Sequence, residues 1–383
     1  MPTASAPIPT LPVAATFGAP VWGVSLPESS RQHRPIVTGD RVVFLDGEQA
    51  RAVDPTGKQA WSAKFAEVDS ATRTHDENNY PMLRLVAPDV VAVVDQGKAK
   101  GQGLNEDAYA VKVTLLNVLS GAVVKTVTLP GTNTDSPKPS TSGLGFTVPG
   151  GKVSAVLPDG SVKPVPAKMT AGGQEHQVIG ALTVGAAVLS IWGGTAKNPS
   201  SLDKRTEAPG FGGRTWDSVS VAPSAKYTTA EIEASDADRL IVGRWVVPGS
   251  GPDKPKVQVQ VLDATSGKVL SKPNCEPDPT TPTLIASPNR EHLVDGPLRL
   301  GADGKAECIG GGSGQKRVSL SAVTDSGRAF GTAGSDLVDV AADGTAKTVP
   351  LPSGATAPIG IMTGNVAVHW NANSAVITGN PIQ

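Results

Sequence analysis

One short unit recurs through this chain and limits what it can become. Two or three apolar residues lead into an Asp or Asn, a tight turn ends in Gly, and a second strand-like run comes next. It reads Ala52-Val-Asp-Pro-Thr-Gly-Lys-Gln-Ala-Trp61, Leu116-Asn-Val-Leu-Ser-Gly121 and Val261-Leu-Asp-Ala-Thr-Ser-Gly-Lys-Val-Leu270. Shorter copies are Val156-Leu-Pro-Asp-Gly160, Leu300-Gly-Ala-Asp-Gly304 and Val340-Ala-Ala-Asp-Gly344. The acidic or amide side chain closes the turn on its own backbone, and Gly accepts the positive φ that a tight hairpin demands. Glycine (43) and proline (33) supply about a fifth of the 383 residues, which leaves little room for long helices. Runs such as Arg41-Val-Val-Phe-Leu45, Val90-Val-Ala-Val-Val94 and Asn365-Val-Ala-Val-His369 read as strands, whereas residues 66–73 mix polarity and read as a loop.

The turn glycines are separated by 64, 39, 107, 37 and 40 residues, so the long gap hides one or two further units. Helix-free repeats of about 40 to 50 residues are the signature of propeller blades, each a four-stranded sheet. Gly18-Ala-Pro-Val-Trp22, Gly57-Lys-Gln-Ala-Trp61 and Gly212-Gly-Arg-Thr-Trp216 share the spacing G-x-x-x-W, which puts three of six tryptophans at one place in the unit and lets Trp216 mark the hidden blade. The pattern A-x-D-x-T-G-x-x-x-W at residues 52–61 resembles the repeat of the pyrroloquinoline-quinone-type, quinoprotein-dehydrogenase-like β-propellers. That resemblance implies an all-β propeller. In the enzymes of the family it would also imply a quinone over a central tryptophan, a calcium ion and a catalytic aspartate. Their adjacent cysteines have no counterpart here and aromatic residues make up only 4%, so the fold is expected, with no cofactor and no metal.

The repeats divide the chain into eight four-stranded antiparallel blades, at roughly 36–66, 82–130, 143–168, 176–222, 228–273, 282–309, 317–351 and 357–383, the last completed by residues 19–27. The amino-terminal strand thus closes the ring. Seven blades remain possible because the unit at 176–222 is irregular. Residues 13–383 then form one domain, and the Pro/Ala/Thr/Ser tract 1–12 is a flexible linker. The tract is too polar for a signal-peptide core, and it reads either as a spacer behind a removed secretion signal or anchor or as a frayed terminus.

The repeat turns join third to fourth strands. By strand parity the longer polar segments 69–79, 95–107, 131–143, 193–215 and 248–256 all open on the other face, which is where a protein or glycan partner is expected. Neutral insertion is the alternative reading. Cys275 and Cys308 lie just beyond hairpins of neighbouring blades, so a disulfide stands against two buried thiols; the bonded form agrees with export. The composition, low in Lys and rich in Ala, Gly, Thr, Val and Pro, resembles that of exported actinobacterial proteins.

Charge balances at a net −1, which excludes a nucleic-acid footprint, and no apolar run approaches a membrane span. None of the metal-, nucleotide- or hydrolase-type spacings occurs, so no catalytic residue is assigned. Glu231 with Glu233, and Asp236 with Asp238, are either a cation site or solvated edge charges. His369 in its apolar strand reads as a packed residue rather than a metal ligand. Trp192, Trp245 and Trp370 end second strands beside the decorated face and read either as ligand platforms or as core, with His75 and Asp76 in a neighbouring loop as further binding candidates. The sequence thus describes an extracytoplasmic, monomeric, non-catalytic binding scaffold. An enzyme with its site at the channel mouth, acting on glycans or through a quinone, is the alternative.

Overall fold

The computed structural model describes residues 8–65, 68, 80–99, 108–132, 135–139, 143–195, 210–227, 229–247, 256–275, 283–310 and 316–383. They form eight four-stranded sheets, every neighbouring pair antiparallel and seven of the eight in sequence order. Blades 1 to 8 span residues 36–64, 82–130, 138–165, 168–212, 229–271, 285–308, 319–350, and 360–381 with 22–25. Strands A to D run from the axis outward.

Alternation along the strands decides what packs where. The B strand Val42–Asp46 is buried along nearly its whole length, because both of its faces are covered by flanking blades. The D strand Val123–Pro130 is exposed except at Val127 and Leu129. Each gap between successive blades is filled by its own apolar cluster, and there are eight clusters for eight gaps. Val43, Leu45, Val91 and Leu116 join blades 1 and 2. Trp22, Ile377, Val42 and Phe44 join blades 8 and 1.

The repeat turns have the chemistry their sequences predict. Asp54 Oδ1 accepts hydrogen bonds from the Thr56 hydroxyl (2.6 Å) and from the Thr56 (2.9 Å) and Lys58 (3.1 Å) backbone N–H groups. The Thr56 hydroxyl above all holds the Asp54 carboxyl below the usual carboxylate range. Asn117, Asp159, Asp263, Asp303 and Asp343 close their own turns in the same manner. All six turn glycines have φ between +69° and +88°.

The G-x-x-x-W tryptophans lock one blade to the next. Trp61, in strand D of blade 1, donates its Nε1–H to the Val118 carbonyl of blade 2 (2.7 Å) and lies against Gly121, where a Cβ would stand 2.6 Å from the ring. Trp22 makes the same contact with Pro55 O (3.1 Å) and Gly57, and Trp216 with Ala264 O (3.2 Å) and Gly267. Elsewhere Lys125 lies against Gly160, Leu270 against Gly304, and Arg299 donates to the carbonyls of Ala341 and Ala342.

The ring closes as expected. Strand Trp22–Ser25 pairs with Val376–Pro381, from Trp22 opposite Gly379 to Ser25 opposite Val376. Just before it, the Phe17 ring packs 5.3 Å from that of Phe330 and edge-on, 4.7 Å, to His369, tying the amino-terminal segment to blades 7 and 8. Blades 3 and 4 differ from expectation. The short polar strand Lys138–Pro139 is the A strand of blade 3, Lys168–Ala171 adds an edge strand beside the start of the inner strand Gln174–Val184 in blade 4, and residues 216–222, expected as an outer strand, form a turn. Trp216 reaches its docking place from that turn, which a Gly212–Asp217 bridge and the Asp217 carboxylate hold.

His369 is fully buried, and its Nδ1–H donates to the Thr356 carbonyl (3.0 Å). Burial pushes its pKa down to about 4. Between pH 6.5 and 4 the unfolded chain therefore binds a proton that the folded chain refuses. Stability present above pH 6.5 is lost as pH falls, by about 3 kcal/mol at full extent. Urea unfolding of His369→Gln should lack this part of the acid slope. Trp61→Ala should lower the unfolding free energy by about 3–5 kcal/mol. Combined with Gly121→Ala it should cost less than the two separate losses, since both break one contact.

Candidate functional site: the central channel

The inner strands Ile36–Val37, Met82–Ala87 and Ile285–Ala286, with Ile359 just before blade 8's inner strand, line an axial cavity of about 660 Å³. Its apolar wall is made by Ile36, Leu83, Leu85, Ile285 and Ile359, none fully buried, so the cavity keeps hydrocarbon in contact with solvent. Three arginines enter it. Arg290 is paired with Asp236 of blade 5. Arg84 donates to the Gly143 carbonyl (3.1 Å) and touches Met82 Sδ (3.8 Å). Among the described residues Arg34 makes no hydrogen bond and meets no carboxylate. It is exposed to the channel solvent, and the partial desolvation by the channel walls pulls its pKa below the usual guanidinium value. Desolvation does the same to Arg84. Asp40 and Asp89 also line the cavity, in the A–B turns, at the opposite end of their strands from Arg34 and at the rim.

A second cavity of about 380 Å³ shares Arg34 and Ile359 with the first. Ser321, Thr356, Trp370 and Asn373 complete much of its wall. Of the three tryptophans singled out in the sequence, Trp370 lines this second cavity. Trp192 and Trp245 are 1% exposed and present no ring face to a ligand. They take the core role instead, Trp245 donating to Ser218 O (2.9 Å) and Trp192 packing 5.7 Å from the His176 ring. The platform reading of those two is corrected by burial, since the blade gap covers both faces of each ring. His75 and Asp76 lie outside the described residues.

Three of the four acidic residues of the two pairs are accounted for by arginines. Glu231 and Glu233 lie 3.7 and 3.6 Å from Arg244 on the neighbouring strand, and Asp236 holds Arg290. No group of three or more His, Cys, Asp or Glu side chains among the described residues could hold a metal. Arg34 and Arg84 went unnoticed in the sequence. Their signal was a lone charge within an otherwise apolar inner strand, Met82-Leu-Arg-Leu-Val86, and beside one, His33-Arg-Pro-Ile-Val37.

Strand order also settles which connections share a face. The B–C connections at 100–107 and 248–255 and the D–A connections at 65–81, 131–137, 272–284 and 309–318 open together. Of the other segments expected there, the one at 140–144 joins strands A and B of blade 3 and so leaves from the face of the tight turns. In blade 4 the turn at 185–186 sits on that tight-turn face, Gly185 donating its N–H to the Ala237 carbonyl in the A–B turn of blade 5, so strands Ala187–Thr195 and Gly210–Gly212 meet the 196–209 connection on the opposite face, as expected. Cys275 and Cys308 are bonded, with Cα atoms 6.0 Å apart, which pins the 272–284 connection to the outer strand of blade 6.

No family model and no curated protein matches the chain. Among solved structures, the BamB protein of Moraxella catarrhalis aligns over 95% of this chain and 98% of its own at 11% identity and a TM-score of 0.37. The dihydro-heme d1 dehydrogenase NirN aligns over 83% and 66% at 13% identity and 0.34, and the hydrazine synthase of Kuenenia stuttgartiensis over 99% and 98% at 11% and 0.32. The eight-bladed architecture rests on the strand ladders and the eight interblade clusters, not on these likenesses.

Closing a loop of about 33 residues through the disulfide should add about 3 kcal/mol to stability. Reduction, or Cys275→Ser with Cys308→Ser, should lower the unfolding midpoint in denaturant by a matching amount while leaving the far-ultraviolet circular dichroism of the folded state unchanged.

Proposed function

We propose that residues 13–383 act as one extracytoplasmic, non-catalytic binding domain that docks a protein partner on the face where the B–C and D–A connections open. The observation that carries this reading is the asymmetry of the two faces. Both long B–C connections and the long D–A connections leave and re-enter the ring on one side. The opposite side holds six tight turns sealed by Asx side chains and by residues of the preceding blade. Docking, closure and disulfide make the ring a rigid frame, and loops on a rigid frame are where recognition resides in repeat scaffolds. The disulfide supports an oxidising compartment.

The reading is tested by site-specific photocrosslinking in the native host. A benzophenone side chain placed at Asn105 or Asp253, in the long B–C connections, should give a discrete protein adduct. The same group at Asp159 or Asp343, in the tight C–D turns, should give none. Adducts from the C–D positions alone, equal yields from both faces, or no adduct from Asn105 and Asp253 would each refute it.

A further inference from the structure

We propose that the channel is a binding site for an amphipathic anion, a linear carboxylate carrying a hydrocarbon tail. The inference is independent of the face that docks a partner, because it rests only on groups inside the ring.

The cationic half of the argument is the state of Arg34 and Arg84. Taking a guanidinium from bulk water costs free energy that a carboxylate partner or a full set of hydrogen bonds normally offsets. Arg84, partly enclosed, has only a backbone carbonyl and a thioether for its five N–H donors, whereas Arg34 is exposed to the channel solvent and, making no hydrogen bond among the described residues, is free to receive an anion. Nearby, Arg290 and Arg244 do have carboxylate partners, so the ring pairs its arginines where pairing is structural. Two guanidinia held beside one cavity offer the planar fork that matches a carboxylate bidentately. The cavity's own carboxylates, Asp40 and Asp89, sit in the A–B turns, whereas Arg34 precedes the inner strand of blade 1. Among the described residues, the unpaired positive charge therefore lies at the Arg34 end, which favours an anion there.

The apolar half is the wall. Ile36, Leu83, Leu85, Ile285 and Ile359 come from four blades and leave part of their side chains facing one cavity. Water against such a wall is displaced favourably by hydrocarbon, at about 25 cal/mol per Å². A volume of about 660 Å³ falls in the range of small-molecule sites. Inorganic phosphate would satisfy the arginines and leave the wall wet; a neutral alcohol would do the reverse. An anion with a tail satisfies both.

The test is titration calorimetry on the full, disulfide-bonded chain at low salt, with decanoate kept below its micelle concentration. Decanoate should bind at one site, at least tenfold more tightly than either decanol or inorganic phosphate. Arg34→Ala should weaken it about tenfold. Arg34 makes no hydrogen bond among the described residues, so circular dichroism and thermal unfolding should show that variant intact. Arg34→Glu should abolish decanoate binding, and Leu85→Ser should weaken decanoate without affecting phosphate. Equal affinity for decanoate and decanol would overturn the cationic half, and phosphate binding as tightly as decanoate the apolar half. Absence of decanoate binding, or binding that ignores Arg34→Ala, would overturn the proposal outright.

Discussion

The contact on which the molecule depends is an indole laid over a turn in the next blade. Trp22, Trp61 and Trp216 each need three things in that turn: a glycine with no Cβ in the way, an Asx side chain that holds the backbone still, and a carbonyl at the position after it to receive Nε1–H. A blade alone is a small four-stranded sheet with two apolar faces, and it gains stability only by covering them. The indole sets the angle and spacing at which the next blade covers the first, so a local hairpin rule becomes a rule for building a ring. Where a turn meets another side chain, Lys125, Leu270 and Arg299 keep the same junction with different chemistry.

Ring closure determines everything inside. Once Trp22–Ser25 completes blade 8, every sheet has a neighbour on both sides and all the inner strands face one axis. Positions remote in sequence, such as Arg34, Arg84 and Ile285, then share one cavity. The same enclosure keeps His369 neutral under the amino-terminal segment and couples the closing blade to pH.

Much of this was legible in the residues, and the misreadings have physical causes. The six turns were legible because Asp or Asn and Gly act within a few residues of each other. Trp22 with the last strands was legible because a missing fourth strand at one end and a spare strand at the other have one simple solution. Blade 4 was misread because Lys168–Ala171 is short and polar and Trp216 imitates a strand position while sitting in a turn. Trp192 and Trp245 were open to two readings because alternation places a side chain on one face of a blade or the other, and both faces of a blade are interior.

Turn chemistry, antiparallel blades and the way the ends meet were written in the residues, since each depends on neighbours along the chain or on a repeated spacing, whereas the choice of eight blades over seven needed the structure. The channel was not written there either. Which arginines are paired, which isoleucines and leucines share a wall, and which long connections share a face are relations among strands brought together by the curvature of the ring. Curvature is the sum of eight packing angles, and no single repeat contains it.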